Sequence, residues 1–266
     1  MKLGPTLTPV ADLVDGDALA GARNRRLHRR SFLAAGLACV PALAKARQVV
    51  VPMAVPESTN APFITSILDE LAQAMGIRWE VSRVPFARVL KMAEQGIALG
   101  FGVSPSPARA ALLDFSTSIF TSGVWALSVG VDSTGSAPTR LAGLRTCVAR
   151  GADYGVQFYA ANPGLKLDYV HGDFAARLRM LLAGRCDVLV VTHFNDDLSQ
   201  LRKRIQEAGV DSQLITVGQR PLAASTVHIA AKRGGAWGEW VPRLNAAIAE
   251  RQGAIARLLS TAQQSQ

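Results

Sequence analysis

The sequence is poor in the residues that usually carry chemistry. Three cysteines (Cys39, Cys147, Cys186) and four histidines (His28, His171, His193, His228) are scattered over 266 positions. No CxxC, HExxH or GxSxG occurs, and no GxGxxG opens a helix, so the common zinc, serine-nucleophile and dinucleotide signatures are absent. His193 with the run at 195–197 matches no ligand spacing and reads as a solvated helix start, so no metal and no cofactor are expected. Charged residues make up only 18%. The net charge of +9 forms no dense basic stripe, which argues against a nucleic-acid partner. No apolar run reaches the ~20 residues needed to span a bilayer.

What is present begins with an address. Residues 24–46 read NRRLHRRSFLAAGLACVPALAKA. A basic segment ends at Arg29-Arg30, a mild apolar run follows from Phe32 to Leu43, and Ala44-Lys45-Ala46 forms an A-x-A cleavage pattern. The paired arginines before Ser31-Phe32-Leu33 resemble a twin-arginine export signal. A basic tail beside a buried helix is the plainer alternative. Lipidation at Cys39 is disfavoured, because Gly36-Leu37-Ala38 lacks a leucine three places before the cysteine. Residues 1–46 hold seven Lys/Arg against three acids, a net +4 that leaves +5 on the remaining chain. Removal of the segment leaves a chain starting near Arg47, located in the periplasm. Cys147 and Cys186 then read as two buried free thiols, although an oxidising compartment permits a disulfide.

From residue 49 onward short strands alternate with amphipathic helices. Residues 49–55 form an apolar strand, and Asn60-Ala61-Pro62 supplies a cap and a first-turn proline. Phe63, Ile64, Ile67, Leu68, Leu71 and Met75 recur at helical spacing before Gly76. A strand over 77–81, a helix over 89–95 and a strand over 97–103 follow. The Ser-Pro-Ser-Pro loop then leads through Arg109 into a short helix, and 124–131 is a strand. The small-residue run DSTGSAPT at 132–139 reads as a linker, after which the alternation starts afresh. The fold class is α/β, with mixed sheets flanked by helices in two units. A cleft between two such units is a common ligand site.

Three stretches in this order resemble a known family. They are PFARVLKMAEQGIALGFGVSPSPARAALLDFSTSIFTSGVWALSV (85–129), LAGLRTCVARGADYGVQFY (141–159) and LLAGRCDVLVVTHF (181–194). With the closing AAKRGGAWGEWVPRLNAAIAE they are similar to the periplasmic solute-binding proteins of the polar amino-acid ABC-transporter type. The resemblance covers nearly all of 47–260. It implies a two-lobed Venus-flytrap fold, with lobe one at 47–131 and 224–266 and lobe two at 132–223. It also implies a monomer that captures a small anionic solute, without catalysis, for an ABC permease. A dehydratase on the same fold and a sensor module of a signalling system are the alternatives.

The resemblance places Arg109 where the family holds a ligand carboxylate, with Ser104 facing the ligand. Ser106 and Pro107 suit a helix start, which would add backbone N–H groups to that anion site. Glu57 and Asn60 follow the first strand, where the family places contacts. Phe86 would form an apolar wall, with Arg88 either reaching in beside it or lying on the surface; Phe120, Trp125 or Tyr154 could supply an aromatic lid, core packing being the plainer reading of each. Two departures stand out. The usual Gly-(Ser/Thr)-(Ser/Thr) of lobe two is Gly151-Ala152-Asp153, and the position of the amino-group aspartate is Thr192. Asp153 is left as a substitute partner, and recognition of an α-amino group stays open. Replacing Arg29 and Arg30 together by lysine is expected to retain the unprocessed precursor in the cytoplasm. Fractionation that finds processed protein outside the cytoplasm would refute the twin-arginine assignment.

Overall fold

The computed structural model describes residues 48–130, 136–194 and 198–264. The export segment, Cys39, the first part of the 132–139 linker and the 195–197 run lie outside these residues. In chain order the elements begin β1 (Val49–Pro56), α1 (Ala61–Met75), β2 (Ile77–Val84), α2 (Phe86–Gln95), β3 (Leu99–Phe101), α3 (Pro107–Ala110), β4 (Leu113–Phe115) and β5 (Phe120–Ser128). They continue with β6 (Thr146–Ala149), α4 (Gly155–Ala161), β7 (Leu167–Val170), α5 (Phe174–Leu182), β8 (Val188–His193) and α6 (Leu198–Glu207). The last are β9 (Thr216–Val217), β10 (Ala223–Val227), β11 (Ile229–Lys232) and α7 (Val241–Gln264). Among the described residues no helix is long and apolar enough to cross a membrane.

Local chemistry accounts for the helix limits. The Asn60 side chain accepts from the Phe63 N–H at 3.0 Å, proline occupies the first turn, and Gly76 closes α1 with φ of 65°. Asp173 caps α5 in the same way, accepting from Ala176 N–H at 2.7 Å. The segment after Arg109 departs from expectation. The helix there is one turn, and residues 113–115 form a strand instead. These residues pair with β11, and Arg233 Nε forms an ion pair with Asp114 Oδ1 at 2.9 Å. Ser106 makes no capping bond, and one turn carries no appreciable dipole, so the helix-start part of the expected anion site falls away.

Two mixed sheets organise the chain. The first runs β2-β1-β3-β11-β4, with β1 parallel to β2 over Val49↔Ile77 to Pro56↔Val84. The second runs β10-β5-β8-β6-β7, with β9 beside β5. α1 and α7 cover one face of the first sheet through Ile67, Leu71, Leu244 and Ile248, and α2 covers the other through Val89 and Ala93. In the second sheet α5 and α6 pack on one face and α4 on the other. Here β5 and β10 belong to the second sheet, so the chain crosses between sheets at 116–119 and at His228. These crossings differ from the expected lobe limits at 131 and 223, because β5 finds its partners in β8 and β10.

The crossings are bonded to each other. Ile119 N–H donates to Val227 O, Ser116 N–H to Ile229 O, and Ile229 N–H to Ser116 Oγ. Between them His228 Nδ1–H donates to Ser116 O at 2.8 Å, which leaves Nε2 to accept from the Thr226 hydroxyl, also at 2.8 Å. Burial pushes the imidazole below its ordinary pKa, against the opposing effect of the Ser116 carbonyl. The neutral ring is therefore the form that folding favours. Its contribution is complete above the unfolded value of about 6.5 and is lost as pH falls through the lower folded value. Denaturation midpoints at neutral pH and near pH 5 should show a smaller acid loss in His228→Asn than in the parent; equal losses would remove His228 from this role.

Cys147 of β6 and Cys186, just before β8, form a disulfide with Cα atoms 5.8 Å apart, correcting the expectation of free thiols. The bridge closes a loop with a separation of 39 residues within one sheet. Chain entropy alone gives such a loop about 4 kcal/mol of stabilisation. The double change Cys147→Ser, Cys186→Ser should lower unfolding free energy by roughly 2–4 kcal/mol, with thiol reductant acting only on the parent. A double variant as stable as the parent would show that the bridge contributes nothing.

Candidate functional site

The two sheets face each other across a cavity of about 680 Å³, a size suited to a small organic solute. Its first-sheet wall is built from the β1–α1 turn, the start of α2 and the loop carrying Ser104 and Arg109. Its second-sheet wall comes from the loop after β6, the first turns of α5, the end of β8 and the inward side of α6.

Arg109 is 8% exposed although it is a full cation. Nη1 donates to Ser104 O at 2.8 Å on its own side of the cavity, and Nη2 donates to Gly151 O on the far side. Phe86 lies under the guanidinium, 5.9 Å from ring centroid to Cζ. Burial pushes the Arg109 pKa below its ordinary value, and nearby Asp153 opposes that shift. No carboxylate reaches ion-pair distance of it among the described residues. The Gly151 approach depends on glycine. Its φ is 82°, a backbone conformation that side-chain-bearing residues rarely adopt.

The other expected residues take different positions. Ser104 lines the cavity, but its hydroxyl donates to Thr226 O at 2.8 Å and lies 3.1 Å from Ser225 Oγ. Glu57 lines the rim and is exposed. Asn60 lines it with its side-chain oxygen spent on the α1 cap. Asp153 lines the wall and accepts from Gly155 N–H at 3.0 Å. Tyr154 is buried and donates to Val190 O at 3.0 Å; burial pushes its phenol pKa upward, so it stays protonated. Thr192 lines the cavity, and its carbonyl accepts from Arg204. Arg88 is not brought in: it is exposed on α2 and outside the cavity wall, because the helix turns Val89 and not Arg88 toward the sheet. Phe120 lines the cavity, whereas Trp125 is buried within the second sheet's core. Phe63 joins the aromatic wall, stacked on Phe194 at 4.4 Å and edge-on to Phe120 at 5.6 Å. Among the described residues no group of His, Cys, Asp or Glu could hold a metal ion.

Two site residues escape a reading based on loops and family positions. Arg177 is 5% exposed and Arg204 half-buried, and both line the cavity. A signal for them exists. Phe174, Arg177, Leu178 and Leu181 follow the apolar stripe of α5, and Leu201, Arg204 and Ile205 that of α6. An arginine inside an apolar stripe is a cation carried toward the interior.

Solved structures with this arrangement are numerous. One substrate-binding protein of an amino acid ABC transporter aligns with TM-score 0.60 at 17% identity, over 80% of this chain and 98% of its own. The chain has the periplasmic-binding-protein fold. A mutant of ArgBP from T. maritima aligns with TM-score 0.62 at 14% identity, over 80% of this chain and 94% of its own. A histidine kinase sensor domain with similarity to periplasmic binding proteins aligns with TM-score 0.62 at 18% identity, over 81% and 96%. No family model matches the chain, and no curated protein matches it. Within this periplasmic-binding-protein fold the cavity described above lies in the cleft between the lobes.

Proposed function

We propose that this chain is an exported solute-binding protein that captures a small carboxylate-bearing solute between its lobes for an ABC importer. The observation that carries this reading is Arg109, a buried guanidinium facing the cleft whose hydrogen-bond acceptors are neutral carbonyls from both lobes. Hydrogen bonds from an arginine to a carboxylate are roughly twice as strong as bonds between neutral groups and often bidentate. An entering carboxylate is therefore a better partner than either carbonyl. A disulfide in the second lobe supports an oxidising compartment. The neutral Thr192, with its carbonyl already engaged, supports an acid without an obligatory ammonium group.

A ligand-sensing role is the second reading, favoured by the likeness to the histidine kinase sensor domain. It shares the cleft and differs in which membrane protein responds to closure. Co-purification of the ligand-loaded protein with a permease or with a kinase separates the two.

A thermal-shift screen against amino acids and organic acids should find a stabilising ligand, with ~2.7 kcal/mol gained at a hundred times the dissociation constant. Arg109→Ala is expected to weaken that ligand by roughly ten- to a hundredfold while unfolding stays cooperative. Unchanged affinity would sink the clamp, and chemically altered ligand on recovery would sink the reading of a binder without turnover.

A further inference from the structure

Among the described residues, the most deeply buried charges of the cleft are of one sign. Four acids line it, but Glu57, Asp173 and Glu207 are exposed at the rim, and half-buried Asp153 is bonded to the Gly155 N–H. The charges that lie inside belong to Arg109, Arg177 and Arg204. None of these three forms an ion pair among the described residues.

Arg177 and Arg204 line the same cavity as Arg109 but are carried by lobe two. They reach the cavity from adjacent helices of lobe two, with Phe174 next to both. The Arg204 guanidinium lies over the Phe174 ring at 4.2 Å, and Arg177 stands one helical turn further along α5. The Arg177 side chain has one hydrogen bond among the described residues, from Nε to Asp173 O at 3.3 Å, so its Nη groups have no partner there. Arg204 donates to Thr192 O at 2.8 Å and across the cleft to Ser58 O at 3.2 Å, again to neutral acceptors. Burial first, and then the charge of Arg177, pushes Arg204 down to about 10; Glu207 opposes the shift. Burial likewise pushes Arg177 below its ordinary value. Two like charges side by side, one buried and one half-buried, with no ion pair among the described residues, are costly to hold. The planar fork of each guanidinium matches carboxylate and phosphoryl oxygens.

We infer that the solute is a dianion, with one carboxylate at Arg109 and a second anionic group, carboxylate or phosphoryl, held by Arg177 and Arg204. This rests on the carboxylate-capture reading above and adds the ligand class. It also separates the cleft from that of an arginine binder, such as the ancestral arginine-binding protein of the same fold at 17% identity, because a cationic side chain would meet cations already buried here.

The test is calorimetric titration of the mature protein with matched solutes. Dicarboxylates are succinate, glutarate, L-aspartate and L-glutamate; O-phospho-L-serine supplies the phosphoryl arm. Butyrate and L-norvaline, each with a single carboxylate, are the one-anionic-group controls (monoanions below), and L-lysine and L-arginine the cationic ones. At least one dianion should bind about tenfold or more tighter than its monoanionic match. In Arg177→Gln and Arg204→Gln that ratio should fall toward one, while Arg177→Lys and Arg204→Lys should keep part of it; thermal unfolding without ligand verifies that each variant folds. A tighter dicarboxylate or a tighter phosphoserine decides which second group is taken. Equal binding of dianions and monoanions, preference for L-lysine or L-arginine, or no binding by any dianion overturns the inference. Monoanion binding that depends on Arg109 leaves carboxylate capture standing in those cases. A carboxylate affinity indifferent to Arg109→Ala removes both.

Discussion

The guanidinium of Arg109, held between Ser104 O and Gly151 O, joins two sheets whose chain connections are only the short crossings at 116–119 and His228. A buried cation must be surrounded by acceptors, and here the two lobes supply one each. Arg204 makes a second such bridge to Ser58 O, and Phe63 stacks on Phe194 as an apolar one. The acceptors are neutral carbonyls, so the bridges are weaker than those a charged ligand would make. On the proposed function, closure of the cleft and capture of an anion would draw on the same guanidinium groups.

The walls around these groups are stiff for ordinary reasons. Each sheet is covered on both faces, and the second also carries the Cys147–Cys186 bridge. The family-like segment ending at Asp187 has a structural task. Asp187 accepts from the Arg145 backbone N–H at 2.8 Å and from its side chain at 2.6 Å, which aligns the starts of β6 and β8. Gly123 serves a similar purpose, since a Cβ there would stand 2.5 Å from the Trp125 indole nitrogen. Such residues fix the frame on which Arg177 and Arg204 are presented.

Much of the fold is legible in the chain, and the reason is local. The Asn60–Pro62 start, the Gly76 and Gly96 ends, and the apolar spacing of α1 and α5 involve neighbours within a few residues. The failures share a different cause. Residues 113–115 become strand because β11 is beside them. A strand over 124–131 falls within lobe one by its place in the chain, but β5 at 120–128 finds its partners near 190 and 225. The cleft was legible only in part. Arg109 and Asp153 reach it, Arg88 does not, and Asn60 and Ser104 enter with their side-chain oxygens already engaged.

By itself the sequence determined the alternation of strands and helices, the mixed α/β class and the position of one arginine after a proline-rich loop. These follow from periodicity, caps and turn residues, whose energies act over one or two turns of chain. Tertiary structure alone decided that Cys147 meets Cys186 across 39 residues and that Arg109 meets Gly151 across 42. It also decided that arginines from α5 and α6 share a cavity with Arg109. Burial and charge act through space, so a sign imbalance inside a cleft exists only once distant segments have enclosed it.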